Sequence, residues 1–280
     1  LQRHMHAKSW VKPTLEKPAI KILTKIPGLN QIVYSKVRKE LIESFGGKFY
    51  EVILGGAAFN KEVEEFMHKI KFPFTVGYGM TECAPIISYE AWDSARLYSC
   101  GRPARYLEIK IDSKDPQNVP GEILVKGPNV FLGYYNNEEA TNAVFTEDGW
   151  FRTGDMGVMD EDEFIYIKGR CKCMLLGPSG QNIYPEEIED SINNLKFVSD
   201  SLVIEDSSNN KLVALIYPDY VKAKQNGLDS EALKARLESD IKAVNKERPS
   251  YERITKIELL ENDFERTPKK SIKRYLYQRS

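Results

Sequence analysis

The stretch from Phe49 to Gly79 constrains this chain more than any other. Phe49-Tyr50-Glu51-Val52-Ile53-Leu54 is a β-prone run that stops at Gly55-Gly56, and it predicts a strand. Asn60 stands where a helix N-cap belongs. Val63, Phe66, Met67 and Ile70 follow at i, i+3, i+4 and i+7, one face of a helix. Phe74-Thr75-Val76 is a second short strand, followed by Gly77-Tyr78-Gly79. Strand, helix and strand within about thirty residues make a βαβ unit and hence a parallel sheet. Ligands of such sheets sit beyond the C-terminal ends of the strands, where both glycine turns fall.

Two further regions have other characters. Leu107-Glu108-Ile109-Lys110-Ile111 alternates with period two, and Gly121 to Gly127 encloses a strand. Val158 to Ile167 reads as a hairpin about the acidic turn Asp160-Glu161-Asp162-Glu163. This predicts a small antiparallel barrel or twisted sheet. After Arg170, Asn182 to Glu189 reads as a helix start, with Pro185 in the first turn and acids suited to the helix dipole. Strands at 201–204, 212–216 and 254–260 follow, with a helix carrying Leu233, Leu237, Ile241 and Val244 on one face. The expected fold class is α/β and α+β. A parallel βαβ portion and a β-rich subdomain from about residue 100 occupy 1–171, and a small α+β domain occupies 172–280.

Composition bounds the function. A chain of 280 residues suits about two domains at ~150 residues each. Forty basic and 41 acidic residues give a net charge of −1, which excludes a whole-chain basic signature for nucleic acid. No apolar run approaches the ~18 residues that span a bilayer. The first residues, Leu1 to His6, hold neither a signal-peptide core nor an initiator Met, so the expected N-terminus is upstream. Four cysteines, at 83, 100, 171 and 173, are too few for a disulfide scaffold and suit a reduced cytoplasmic protein. Cys171-x-Cys173 is too tightly spaced for a zinc knuckle and has no second pair. Charge is uneven locally: residues 1–48 hold ten Lys/Arg against three acids, and 264–280 hold six against one. Each excess is either a solvated face or a surface for phosphate, on a ligand or on anionic lipid.

Four stretches carry chemistry. In Gly77-Tyr78-Gly79-Met80-Thr81-Glu82, glycines admit a close ligand, the aromatic offers a stacking face, and hydroxyl plus carboxylate suit a phosphate and its Mg²⁺. In Gly149-Trp150-Phe151-Arg152-Thr153-Gly154-Asp155, the acid can accept both hydroxyls of a ribose. Lys168-Gly169-Arg170-Cys171-Lys172 runs on to Gly177-Pro178-Ser179-Gly180-Gln181-Asn182, a glycine-rich loop ahead of a helix N-terminus. Arg266 to Arg274 is a basic loop.

In order and spacing, from about Phe49 to Tyr275, these stretches resemble the adenylate-forming superfamily of acyl-CoA synthetases, luciferases and adenylation domains. The wording at 177–189 is most similar to bacterial AMP-forming long-chain fatty acid–CoA ligases. The resemblance implies attack of a carboxylate on the α-phosphate of ATP to give acyl-AMP and pyrophosphate. The thiol of CoA then takes the acyl group and AMP leaves. By resemblance, Gly55, Gly56 and Ala57 line the adenine pocket, Tyr78 stacks on the base, and Gly79 belongs to the same cofactor-binding set. Thr81 contacts phosphate and Glu82 holds Mg²⁺. Asp155 binds the ribose, Arg170 contacts the nucleotide, and Lys172 is the hinge about which a mobile C-terminal domain rotates. Gly180 helps to form the pantetheine tunnel. The implied substrates and cofactors are ATP, Mg²⁺, CoA and a fatty acid. Cytoplasmic location, with peripheral membrane contact through the basic first segment, is a further expectation.

Two departures qualify the resemblance. No Gly/Ser/Thr-rich phosphate loop precedes residue 55, and the family's large domain is much longer than 1–171. The expectation is therefore a C-terminal half. The family's adenylation lysine also falls on Ser271, leaving Lys270 as the expected substitute, since a lysine stem is long and flexible. Two alternatives stay open: a non-catalytic nucleotide-binding relative, and a domain that loads a carrier protein.

Overall fold

A computed structural model describes residues 29–56, 59–177, 180–268 and 270–278. The chain divides into two units, 1–153 with 157–167, and 154–156 with 168–280. The 171/172 boundary expected from the sequence falls inside the second unit.

In the first unit, helix α1 (Leu29–Ser44) buries Val37 and Leu41. They pack with Met67, Ile70, Phe72 and Phe74 into one cluster. The βαβ unit follows as β1 (Val52–Leu54), α2 (Lys61–Lys69) and β2 (Phe74–Val76). β1 and β2 pair in parallel, Val52 opposite Phe74. The Asn60 side chain accepts from Val63 N at 3.0 Å, the cap expected from the sequence. The first strand is shorter than predicted, because residues 49–51 precede the ladder and Tyr50 is exposed.

A three-stranded sheet comes next, in the order β3 (Tyr78–Gly79), β4 (Ile86–Tyr89) and β5 (Arg102–Pro103). β6 (Glu108–Asp112) pairs antiparallel with β7 (Gly121–Lys126), Ile109 opposite Val125. Helix α3 (Glu138–Val144) is capped by Asn137, whose side chain accepts from Ala140 N at 3.0 Å. β8 (Phe151–Met159) and β9 (Ile165–Arg170) complete the sheet order β6-β7-β8-β9. Asp160 Oδ1 accepts from Asp162 N and Phe164 N, which makes the acidic segment a tight turn between them. Ile111, Ile123, Val125, Phe151 and Ile165 meet in a core beneath this antiparallel material.

In the second unit, β10 (Leu175–Leu176) and β11 (Asn182–Ile183) form a small antiparallel pair. Helix α4 (Pro185–Asn193) starts three residues later than the sequence suggests, because Asn182 and Ile183 are paired in β11. β12 (Val198–Asp206) and β13 (Lys211–Pro218) are antiparallel; α5 (Tyr220–Gln225) and α6 (Ser230–Lys246) lead to β14 (Ile254–Leu259), parallel to β13. The continuous apolar run at 212–216 is explained by burial on both faces. Ala214 and Ile216 meet α4 and α6 through Ile188, Ile192, Leu233, Leu237 and Ile241, whereas Val213 and Leu215 pack with Leu202, Ile204 and Phe264.

Candidate functional site

The first group of predicted residues lies past the end of β2. Gly77 N donates to Leu54 O at 2.8 Å, so the chain leaves the parallel pair beside Gly55. Gly55 and Gly56 are both exposed, and Gly56 has φ 83°. Ala57 lies outside the described residues. Tyr78 is only 8% exposed and belongs to the core cluster, so little of its ring is open to a stacking partner. Gly79 is required sterically: a Cβ there would sit 2.0 Å from Pro85 O. Thr81–Cys83 is a single 3₁₀ turn with Thr81 exposed, Glu82 half-buried and Cys83 fully buried. Burial first, and then the Glu82 charge, push the Cys83 thiol up to about 11.

This turn is held by a segment that the sequence reading left unassigned. Asn129 Nδ2 donates to Cys83 O at 2.7 Å and to Ile86 O at 3.0 Å. Phe131 N donates to Glu82 O at 2.8 Å. The Tyr134 hydroxyl donates to Glu82 Oε1 at 3.1 Å. Burial and this carboxylate both raise the Tyr134 pKa. The missed signal was the Phe-Leu-Gly-Tyr-Tyr wording at 131–135, too short to read without a partner.

A single carboxylate beside an exposed hydroxyl fits Mg²⁺, which binds through one or two carboxylates plus substrate phosphates. Among the described residues no cluster of three or more metal-ligating side chains exists.

The second group lies in the second unit. Asp155 is buried on β8, and its Oδ1 is 3.0 Å from Nε of Arg170, whose side chain is 58% exposed. Gly154 has φ 72°, and a Cβ there would approach Arg170 Nη1 to 4.0 Å. The two predicted nucleotide contacts are thus one preassembled pair. Lys172 is exposed on the 3₁₀ turn Cys171–Cys173 directly after Arg170. Burial, with Glu186 adding to it, pushes the Cys173 thiol up to about 11.

The glycine-rich loop differs from its sequence reading. It closes the β10–β11 pair, with Gly177 N donating to Gln181 O at 2.7 Å and Gly180 N to Gly177 O at 2.9 Å. Pro178 and Ser179 lie outside the described residues, and Gly180 is exposed with φ 82°. The following helix start is no open anion site, because Glu186 and Glu187 occupy its first turn and Lys168 pairs with Glu187 at 3.1 Å.

The basic loop at 266–274 is corrected more sharply. It is a tight hairpin: Thr267 N donates to Ser271 O at 2.9 Å and Lys270 N to Thr267 O at 2.8 Å. Arg266 Nη2 reaches Asp200 at 2.6 Å and Asp263 at 2.9 Å. Lys273 pairs with Glu265 at 3.3 Å. Arg274 grips both oxygens of Glu189, at 2.8 and 2.6 Å. Three of the loop's cations therefore serve the fold. Lys270 remains exposed, with φ 65°, beside exposed Ser271. Lys269 and the first 28 residues of the basic N-terminal segment lie outside the described residues.

Comparison with known proteins gives these groups a class. The AMP-binding enzyme family model matches residues 7–135, and the model of the AMP-binding enzyme C-terminal domain matches 174–279. The chain belongs to the adenylate-forming superfamily as a partial chain. It is similar to the long-chain-fatty-acid–CoA ligase FadD15 of Mycobacterium bovis, 31% identical over 190 residues, covering 68% of this chain and 30% of that protein. It is 41% identical over 144 residues to a long-chain-fatty-acid–CoA ligase of Escherichia coli, covering 49% of this chain and 25% of the other. The fold matches the O-succinylbenzoate coenzyme A synthetase of Bacillus subtilis in complex with AMP, with a TM-score of 0.68 and 26% identity, over 86% of this chain and 49% of that one. The same synthetase in complex with ATP and magnesium ion matches with a TM-score of 0.67 and 26% identity, over 85% and 49%. The chain spans less than a third of these curated relatives and about half of the solved ones.

Proposed function

We propose that this chain is the C-terminal portion of an AMP-forming ligase that activates a fatty acid, in the long-chain range, and transfers it to CoA. The observation that carries the reading is the turn at 81–83, which presents an exposed Thr81 hydroxyl and a held Glu82 carboxylate just past a parallel strand pair. The names of the similar ligases support it.

In this reading Tyr78 and Gly79 meet the adenine, with Gly55, Gly56 and Ala57 along its edge. Asp155, oriented by Arg170, accepts the ribose hydroxyls. Glu82 would hold Mg²⁺, which supplies neutralisation of phosphate charge when bound. Thr81 donates to phosphate, and Lys270 supplies the cation that Ser271 cannot. Lys172 is the hinge between the two half-reactions, and Gly180 serves the CoA arm in the second. A cytoplasmic setting, with peripheral contact to anionic lipid through the first segment, belongs to the same proposal. Sedimentation with liposomes of varied anionic content tests that part.

The deciding experiment is fatty-acid-dependent exchange of pyrophosphate into ATP, followed by acyl-CoA formation, with the full gene product that carries this chain. Exchange that falls about a hundredfold in Glu82→Gln and in Asp155→Asn supports the reading. AMP binding without exchange for any fatty acid would establish a non-catalytic binder, the reading that Ser271 favours. Transfer to a carrier protein but not to CoA would establish a loading domain.

A further inference from the structure

The Glu82 carboxylate has one hydrogen-bond partner among the described residues, and it comes from 52 positions away. The backbone of its turn is fixed twice, by Asn129 at Cys83 O and Ile86 O and by Phe131 at Glu82 O. That leaves the side-chain torsions of Glu82 to be set, and disorder in them costs free energy when a ligand binds. Tyr134 sets them. Its hydroxyl holds Oε1 at 3.1 Å, while Oε2 has no partner among the described residues.

Tyr134 is itself placed before any ligand arrives. Its ring packs edge-on against Phe131, with centroids 4.9 Å apart. Its backbone N donates to Thr141 Oγ1 of α3 at 2.9 Å. The preceding Gly133 lies so close to that threonine that a Cβ would fall 2.6 Å from Thr141 Cγ2. Helix α3 therefore fixes the segment, the segment fixes the tyrosine, and the tyrosine fixes one carboxylate oxygen.

We propose that Tyr134 is a positioning residue for Glu82, holding Oε1 so that Oε2 is presented to the cation that accompanies ATP. The proposal rests on the functional reading above, in which Glu82 meets Mg²⁺. Hydrogen-bond partners of metal-binding carboxylates orient their ligands, and their loss costs about 10–100-fold in metal affinity. Tyr134 does not touch the cation in this scheme and supplies no proton.

Tyr134→Phe in the full gene product removes the hydroxyl and keeps the ring contact with Phe131. Calorimetric titration compares two ligands: the magnesium complex of α,β-methylene-ATP, and AMP in the presence of EDTA. The expected result is an affinity for the magnesium complex about tenfold weaker, with AMP affinity and melting temperature unchanged. The magnesium concentration for half-maximal pyrophosphate exchange rises by the same factor. Equal affinity of the variant and the parent protein for the magnesium complex would overturn the proposal. So would equal weakening of both ligands, which marks a merely structural residue. Failure of the unsubstituted protein to bind either ligand would overturn the functional reading and this inference with it, and is told apart by requiring no variant.

Discussion

Arg274→Met should destabilise the second unit more at pH 8 than at pH 5. Arg274 grips both oxygens of Glu189, and Glu189 Oε1 also accepts from Val203 N at 2.7 Å. The carboxylate is on α4, flanked in sequence by the fully buried Ile188. Burial pushes its pKa from 4.5 up to about 7, against the opposing pulls of Arg274 and the Val203 amide. The folded chain therefore keeps a proton that the unfolded chain has released between those two values. Stability falls as pH climbs through that window and is level above it. A shift of this size corresponds to about 3 kcal/mol. Removing Arg274 takes away the counter-charge and pushes Glu189 higher still. At pH 8, one unit above the parent's value, the carboxylate form that only the parent protein stabilises adds about 1.4 kcal/mol to the loss, which reaches about 2–2.5 kcal/mol. At pH 5 Glu189 is neutral, and the loss falls to about 1 kcal/mol for missing hydrogen bonds. Urea unfolding of the 280-residue chain measures this with two probes. No tryptophan follows Trp150, so fluorescence reports the first unit while far-UV circular dichroism reports both. With a slope of roughly 2 kcal/mol per molar, the dichroism midpoint should fall by about 1 M at pH 8 and about 0.5 M at pH 5, and the fluorescence midpoint should hold. Glu189→Gln combined with Arg274→Met should recover most of the loss. A penalty equal at pH 5 and pH 8 would refute the reasoning.

Three further outcomes are expected. Gly79→Ala drives a Cβ to 2.0 Å from backbone at Pro85, so the fluorescence-detected midpoint should drop by an amount equivalent to about 3 kcal/mol. Cys83, fully buried and pushed up to about 11, should resist iodoacetamide at pH 8 in the folded chain and react in urea, as read by mass spectrometry. Lys270→Ala should leave the urea midpoints unchanged, because the side chain is exposed, yet lower pyrophosphate exchange by the full gene product about tenfold or more. Undiminished exchange excludes Lys270 as the replacement for the family lysine.

What was legible in the sequence was what local physics determines. The Asn60 cap and the Val63-Phe66-Met67-Ile70 face gave the βαβ unit, because capping and periodicity act within one or two turns. The alternating and apolar strands of the second unit were equally readable. Helix α1 was missed although Tyr34, Val37 and Leu41 recur at i, i+3 and i+7, since no acid marks its first turn. β3 and β4 were missed because their register depends on a glycine too close to Pro85 for any side chain, a tertiary fact. At the site, Thr81, Glu82, Asp155 and Arg170 were named from wording alone. Their holders Tyr134 and Asn129 were not, since a hydrogen bond across some fifty residues leaves no local pattern.

The basic loop shows why counting charge overstates a binding surface. Six Lys/Arg against one acid in 264–280 left open either a solvated face or a surface for phosphate. Arg266 and Arg274 instead meet Asp200 and Glu189, 66 and 85 positions away in the chain. Such half-buried cations cannot turn outward without leaving a carboxylate unpaired, at about 2 kcal/mol for the Glu189 pair at pH 8. Their part in any phosphate contact is therefore to brace the hairpin on both sides. A braced hairpin holds Lys270 in place without engaging its charge, which is what a cation needs if it is to stabilise phosphate without reorganising as charge develops. Arg274→Met should therefore act at a distance: at pH 8 and below the unfolding midpoint it should weaken pyrophosphate exchange while Lys270 itself remains chemically intact.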